Sequence, residues 1–225
     1  MHKPPLLHLI FVQQSNRFLM LLLSLVFFFT LYPMVEGSLL ATLVLNLSFM
    51  LIIFSAVLTI SDTRRPLIKS LALAVLAIVF RWLHYFYQFD LWVILEHIAN
   101  LLFWIYIAIR ILKYILSQSI ITAELIYAAV AVYFIFGLTW ASIYQLIELN
   151  NPDSFAMSNA DASAQNFIFQ MWYFSMVTLT TLGYGDISPI TMTARVFVVL
   201  EAIMGQFYIA VLIANLIGRH IAQEK

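Results

Sequence analysis

The run Thr180-Thr181-Leu182-Gly183-Tyr184-Gly185-Asp186 lies between two long apolar segments and sets two glycines on either side of a tyrosine. Glycine tolerates positive φ, which a backbone needs if successive carbonyl oxygens are to turn to the same side. Thr181 adds a side-chain hydroxyl at the inner end of such a ladder. Rings of these oxygens, contributed by several copies of the run, can replace the water shell of a monovalent cation.

The chain around this run is built for lipid. It has 225 residues, of which 64% are hydrophobic and 10% charged, with a mean hydropathy of +0.97. Soluble domains carry about 25% charged residues. In a bilayer every backbone polar group must be satisfied internally, so helices or a closed barrel are the spanning options. Long apolar runs favour helices, because barrel strands need only about 9–11 alternating residues. The zero net charge implies no nucleic-acid partner, and the lack of cysteine excludes disulfides and thiol chemistry.

Six segments are long enough to cross, given that about 20 apolar residues suffice. They run over residues 18–35, 39–60, 67–87, 91–111, 121–147 and 194–217. A seventh apolar stretch, 166–179, is too short and ends at the glycine-tyrosine-glycine run, which reads as a re-entrant pore helix. The expected fold is therefore an all-α membrane protein with six transmembrane helices, a re-entrant pore helix and a filter loop. The polar stretch 149–164 reads as an exposed loop before that helix. With both termini cytoplasmic, nine of the eleven lysines and arginines fall inside and two, Arg81 and Arg195, on or near the outside. That places Asp186 at the outer face independently of the run itself. The reading gives a multi-pass protein of the cell membrane, prokaryotic in style, with no regulatory module after Ile217.

The order of outer helix, pore helix, T-L-G-Y-G-D run and inner helix resembles the pore domain of tetrameric potassium channels. Six crossings with the pore last resemble the voltage-gated-like prokaryotic type. The resemblance implies a homotetramer in the lipid bilayer with K+ as the permeant ion, no cofactor and no enzymatic activity. It assigns K+ coordination to Thr181, Leu182, Gly183, Tyr184 and Gly185, and cation concentration at the outer mouth to Asp186. Leu182 departs from the commoner valine or isoleucine, which bears on packing more than on coordination. Trp172, Tyr173 and Phe174 are expected to brace Tyr184. Val177 takes the position behind the filter where some members carry glutamate. Glu201, in the outer half of the inner helix, is then a candidate filter support, with a pair to Arg195 as the alternative. Gly205 matches the inner-helix hinge, or serves close helix packing. Ile209, Ile213 and Ile217 form a stripe that either lines the pore as a hydrophobic gate or makes helix contacts, and Gln206 is left between cavity and neighbouring helix.

The division expected is a cytoplasmic N-terminus at 1–17, a four-helix sensor-like domain at 18–116, the pore domain at 117–219 and a short tail at 220–225. A working sensor resembles a helix with a basic residue at every third position over several turns. The fourth segment keeps that spacing only at Arg110 and Lys113, and stepping back meets Ile107, Trp104, Leu101 and Ile98. One elementary charge crossing the field is worth about 2.3 kcal/mol per 100 mV, so two charges at the membrane edge give weak voltage dependence. The sensor domain thus reads as degenerate. A voltage-gated channel and a weakly selective cation channel are the alternatives. Arg81 and His84 in the third segment, with Glu96, His97 and Asn100 in the fourth, form a polar cluster. Arg81 and Glu96 read as an ion pair between helices, or as part of a proton- or lipid-responsive site.

Overall fold

In the computed structural model, residues 16–31, 39–60, 64–87, 89–157 and 164–223 are described. Among them are seven helices and one short ribbon. The helices are α1 (Arg17–Leu31), α2 (Leu39–Leu58), α3 (Arg64–Tyr87), α4 (Asp90–Ser117), α5 (Ala123–Asn150), α6 (Ala164–Leu179) and α7 (Met192–Gln223). The ribbon pairs β1 (Phe155–Met157) with β2 (Ile187–Pro189) in antiparallel register, Ala156 opposite Ser188. The protein is all-α, and four helices are long and apolar enough to cross a membrane: Arg64–Tyr87, Leu91–Ser117, Ala123–Asn150 and Met192–Leu212. The other two expected crossings are shorter among the described residues, α1 with 15 residues and an apolar part of α2 at Val44–Leu58.

Local chemistry explains the boundaries. Pro66 sits in the first turn of α3, where its missing N–H costs nothing. Thr122 caps α5, its hydroxyl accepting from Leu125 N at 3.3 Å, and Glu124 in the first turn complements the helix dipole. The fourth crossing extends to Ser117, beyond the expected Ile111, so Arg110 and Lys113 lie inside the helix and not at its edge. Its apolar periodicity continues through Leu112, Ile115 and Leu116, which keeps the turn repeating past the two cations.

The stretch before the pore helix differs from the exposed loop expected. Ser154 and Phe155 are buried, and β1 holds the segment against the chain leaving the filter. Ser154 O accepts from Ile190 N at 2.8 Å, and the Glu148 carboxylate accepts from Asp153 N and Ser154 N at 2.8 and 2.9 Å. Residues 158–163 of that stretch lie outside the described residues.

Packing centres on α5, whose core face buries Leu125, Ala128, Val132, Ile135 and Tyr144. It meets α4 and α1 on one side and α6 on another, while α7 lies against α6. The outward face of α7 carries Val196, Val199, Leu200, Ile203, Phe207 and Val211, all exposed in the single chain.

Candidate functional site: the filter loop and its supports

Helix α6 ends at Leu179, and the loop then continues with φ of +57° at Thr181, +58° at Gly183 and +80° at Gly185. Left-handed residues therefore alternate with Leu182 and Tyr184, the geometry that aligns carbonyls on one side. Gly183 and Gly185 adopt it freely, whereas Thr181 carries a Cβ and the cost is about 1–2 kcal/mol. The compensation lies at the loop's base. Thr181 N donates to Thr178 O at 2.9 Å, Leu182 N to Val177 O at 3.0 Å, and Gln206 Nε2 to Thr181 Oγ1 at 3.2 Å. Val177 is buried and serves the loop through its carbonyl. Farther out the loop stands clear of its own chain, with Leu182 55% and Tyr184 67% exposed.

Asp186 is held from two sides. Tyr173 OH donates to Oδ2 at 2.7 Å and Ile187 N to Oδ1 at 3.1 Å. Within one chain it is Tyr173 that reaches the outer end of the loop. Trp172, one residue earlier, turns the other way and packs against Phe28 of α1 and Phe169, at ring separations of 5.8 and 6.0 Å. A helix sends adjacent side chains about 100° apart, so only one of the two can face the loop.

Glu201 has no exposed surface, and its two carboxylate oxygens accept from Tyr144 OH of α5 and Ser175 OH of α6. One buried carboxylate thus joins α5, α6 and α7. Arg195 faces elsewhere, its Nε donating to Pro189 O at 3.3 Å. The sequence reading missed Tyr144 and Ser175. The available signal was general: a carboxylate at membrane depth needs donors, and intramembrane hydroxyls are the natural ones.

Gly205 meets the end of α6 directly. A Cβ there would stand 3.0 Å from Leu179 Cα and 3.1 Å from its carbonyl carbon. Ile209 is partly exposed, and the side chains of Ile213 and Ile217 lie outside the described residues.

The polar cluster assembles across α2, α3 and α4. Arg81 Nη1 donates to Glu96 Oε1 at 3.1 Å and Nε to Asn46 Oδ1 at 2.9 Å, with the guanidinium 4.5 Å above the Phe49 ring. His84 Nδ1 contacts the second oxygen of Glu96. His97 and Asn100 are buried beside it, along a cavity of about 70 Å3 that reaches Phe169 and Trp172 of α6. Arg110 and Lys113 lie apart from this cluster, in a pocket at the other end of α4. Among the described residues no group of histidine, aspartate and glutamate is arranged to hold a metal ion.

Comparison with known proteins agrees with this geometry. A family described as "Ion channel" matches residues 71–220, from within α3 through the filter loop and most of α7. Human potassium channel subfamily K member 17 is 34% identical over 68 residues, a stretch covering 30% of this chain and 20% of that protein. With the family match extending over more than half the chain and taking in the helix that ends in the alternating-φ loop, this protein is a member of the ion channel family, a channel and not an enzyme.

Proposed function

We propose that the chain is a subunit of a homotetrameric, potassium-selective channel in the cell membrane, with six crossings, both termini cytoplasmic and weak voltage dependence. The observation carrying this reading is the alternation of positive φ at Thr181, Gly183 and Gly185 within T-L-G-Y-G-D, directly after a short apolar helix. One chain supplies one wall of the oxygen ladder, and four walls close it. Carbonyls of Thr181, Leu182, Gly183 and Tyr184 then exchange for the hydration shell of K+. The Thr181 hydroxyl, accepting from Gln206, keeps a lone pair for the innermost ion. The negative end of the α6 dipole, about half an elementary charge, points to the loop's base and favours a cation there.

The supports divide the work of holding the loop. Tyr173 and Ile187 N fix Asp186 at the mouth, and the Glu201 carboxylate ties α6 to α5 and α7. The exposed Leu182 and Tyr184, and the apolar outer face of α7, are the surfaces that neighbouring subunits cover. Irregular backbone at membrane depth requires such cover or a water-filled path beside it. The human relative's name as a potassium channel supports the choice of ion.

The test is reconstitution of the purified chain in liposomes with K+ and Na+ gradients. A reversal potential that follows the K+ gradient is expected, and Gly183→Ala, which forces a Cβ into positive φ, should abolish the flux. Equal permeability to K+ and Na+ would overturn the assignment of selectivity.

A further inference from the structure

The pocket at the Arg110 end of α4 carries a ligand chemistry of its own. It encloses about 400 Å3 and is lined by Phe18 of α1, Thr59 and Ile60 after α2, and Arg110, Lys113 and Tyr114 of α4. Arg110, Lys113, Tyr114 and Ser117 recur at three- and four-residue spacing, so one helix face presents them to the pocket. Arg110 Nε is buried without a hydrogen-bond partner among the described residues. Arg17 lies beside the pocket, its guanidinium 5.0 and 5.2 Å from the Phe18 and Tyr114 rings and its charge facing the Glu124 carboxylate. No carboxylate lines the pocket among the described residues. Glu124, at the same end, accepts from Phe18 N at 3.3 Å.

Two cations beside the Thr59, Tyr114 and Ser117 hydroxyls suit a phosphate oxyanion, and the surroundings select the source. A column of exposed apolar side chains, Ile98, Leu102, Ile105 and Ile109, runs along α4 toward the pocket, and Lys113 lies one turn beyond Ile109. That column offers acyl chains a track ending at Lys113, with Arg110 farther round the helix inside the pocket, which a free phosphate would not use. We propose that this pocket binds the phosphate of an anionic phospholipid, with the acyl chains laid along α4. The occupant sits where α4 gives way to the 118–122 link into α5, so binding bears on the packing of the pore's outer helix.

The test is native mass spectrometry of the full chain titrated with phosphatidylglycerol, a readout independent of which ion the pore passes. Arg110→Gln with Lys113→Gln should weaken phosphatidylglycerol binding about thirtyfold, at about 1 kcal/mol per cation near the surface. The charge-keeping exchange of Arg110→Lys with Lys113→Arg should retain most of it and shows that the fold survives changes here. Arg64→Gln with Arg65→Gln, removing two cations outside the pocket, should leave it unchanged. Equal loss from the Arg64/Arg65 pair, or equal retention of phosphatidylcholine, would overturn the site. Displacement of the lipid by inorganic phosphate at comparable concentration would assign the pocket to soluble phosphate and overturn the lipid.

Discussion

Replacing Glu201 separates its charge from its hydrogen bonds. Glutamine keeps the shape and one acceptor, and its amide N–H can donate to the other hydroxyl, so Glu201→Gln should fold with a thermal midpoint close to wild type. Glu201→Ala strands the Tyr144 and Ser175 hydroxyls in a buried site, at about 1–3 kcal/mol for each unpaired group. We expect it to lower the melting temperature and to loosen K+ over Na+ discrimination, read from reversal potentials. Unchanged selectivity together with unchanged stability would show that the three-helix junction does not hold the loop. At Arg81 and Glu96 the logic is that of a buried pair, with Glu96 2% and Arg81 20% exposed. Glu96→Ala leaves the half-buried Arg81 without its carboxylate, with only Asn46 still accepting from it, and should destabilise by about 3 kcal/mol, whereas Arg81→Met with Glu96→Met should recover most of the loss. A thermal-unfolding double-mutant cycle measures this, and additive effects would contradict it.

At the scale of elements, the close approach of α7 to the end of α6 constrains the base of the 180–186 loop. The neighbour of Gly205 is backbone, which cannot rotate away as a side chain can. Gly205→Ala should therefore separate the two helices and cost about 1–3 kcal/mol. Because Leu179 leads directly into Thr180 and Thr181, K+ flux in liposomes should fall well beyond what the stability loss explains. Normal flux with normal stability would mean that α7 shifts without moving the filter base. The β1–β2 ribbon works at the opposite end, tying the segment before α6 to the segment after the loop.

At the scale of the whole molecule, assembly and response to voltage are the measurable consequences. The exposed loop and the outward face of α7 predict a tetramer in mild detergent, checked by native mass spectrometry or by light scattering. A stable monomer that still conducts would refute the closed oxygen ladder. Arg110 and Lys113 are the basic residues of α4, so at most two charges per subunit are available to move, about 2.3 kcal/mol each per 100 mV. Planar-bilayer recordings should show conductance changing gently with voltage. A steep curve would mean that charges outside α4 move.

Much of this protein is readable without coordinates. Hydropathy dictates membrane helices, because lipid offers backbone groups no alternative partner, and two glycines around a tyrosine announce a loop with alternating handedness. Those are local properties, carried by neighbouring residues in the chain. The partners of Glu201, the outward turn of Trp172, the backbone contact at Gly205 and the burial of Ser154 and Phe155 are different in kind. Each depends on which faces of separate helices meet, and residues as far apart as Tyr144 and Glu201 become neighbours only when α5, α6 and α7 are packed. Apolar periodicity does not encode that choice here, since nearly every face of these helices is hydrophobic and lipid and protein neighbours look alike to it.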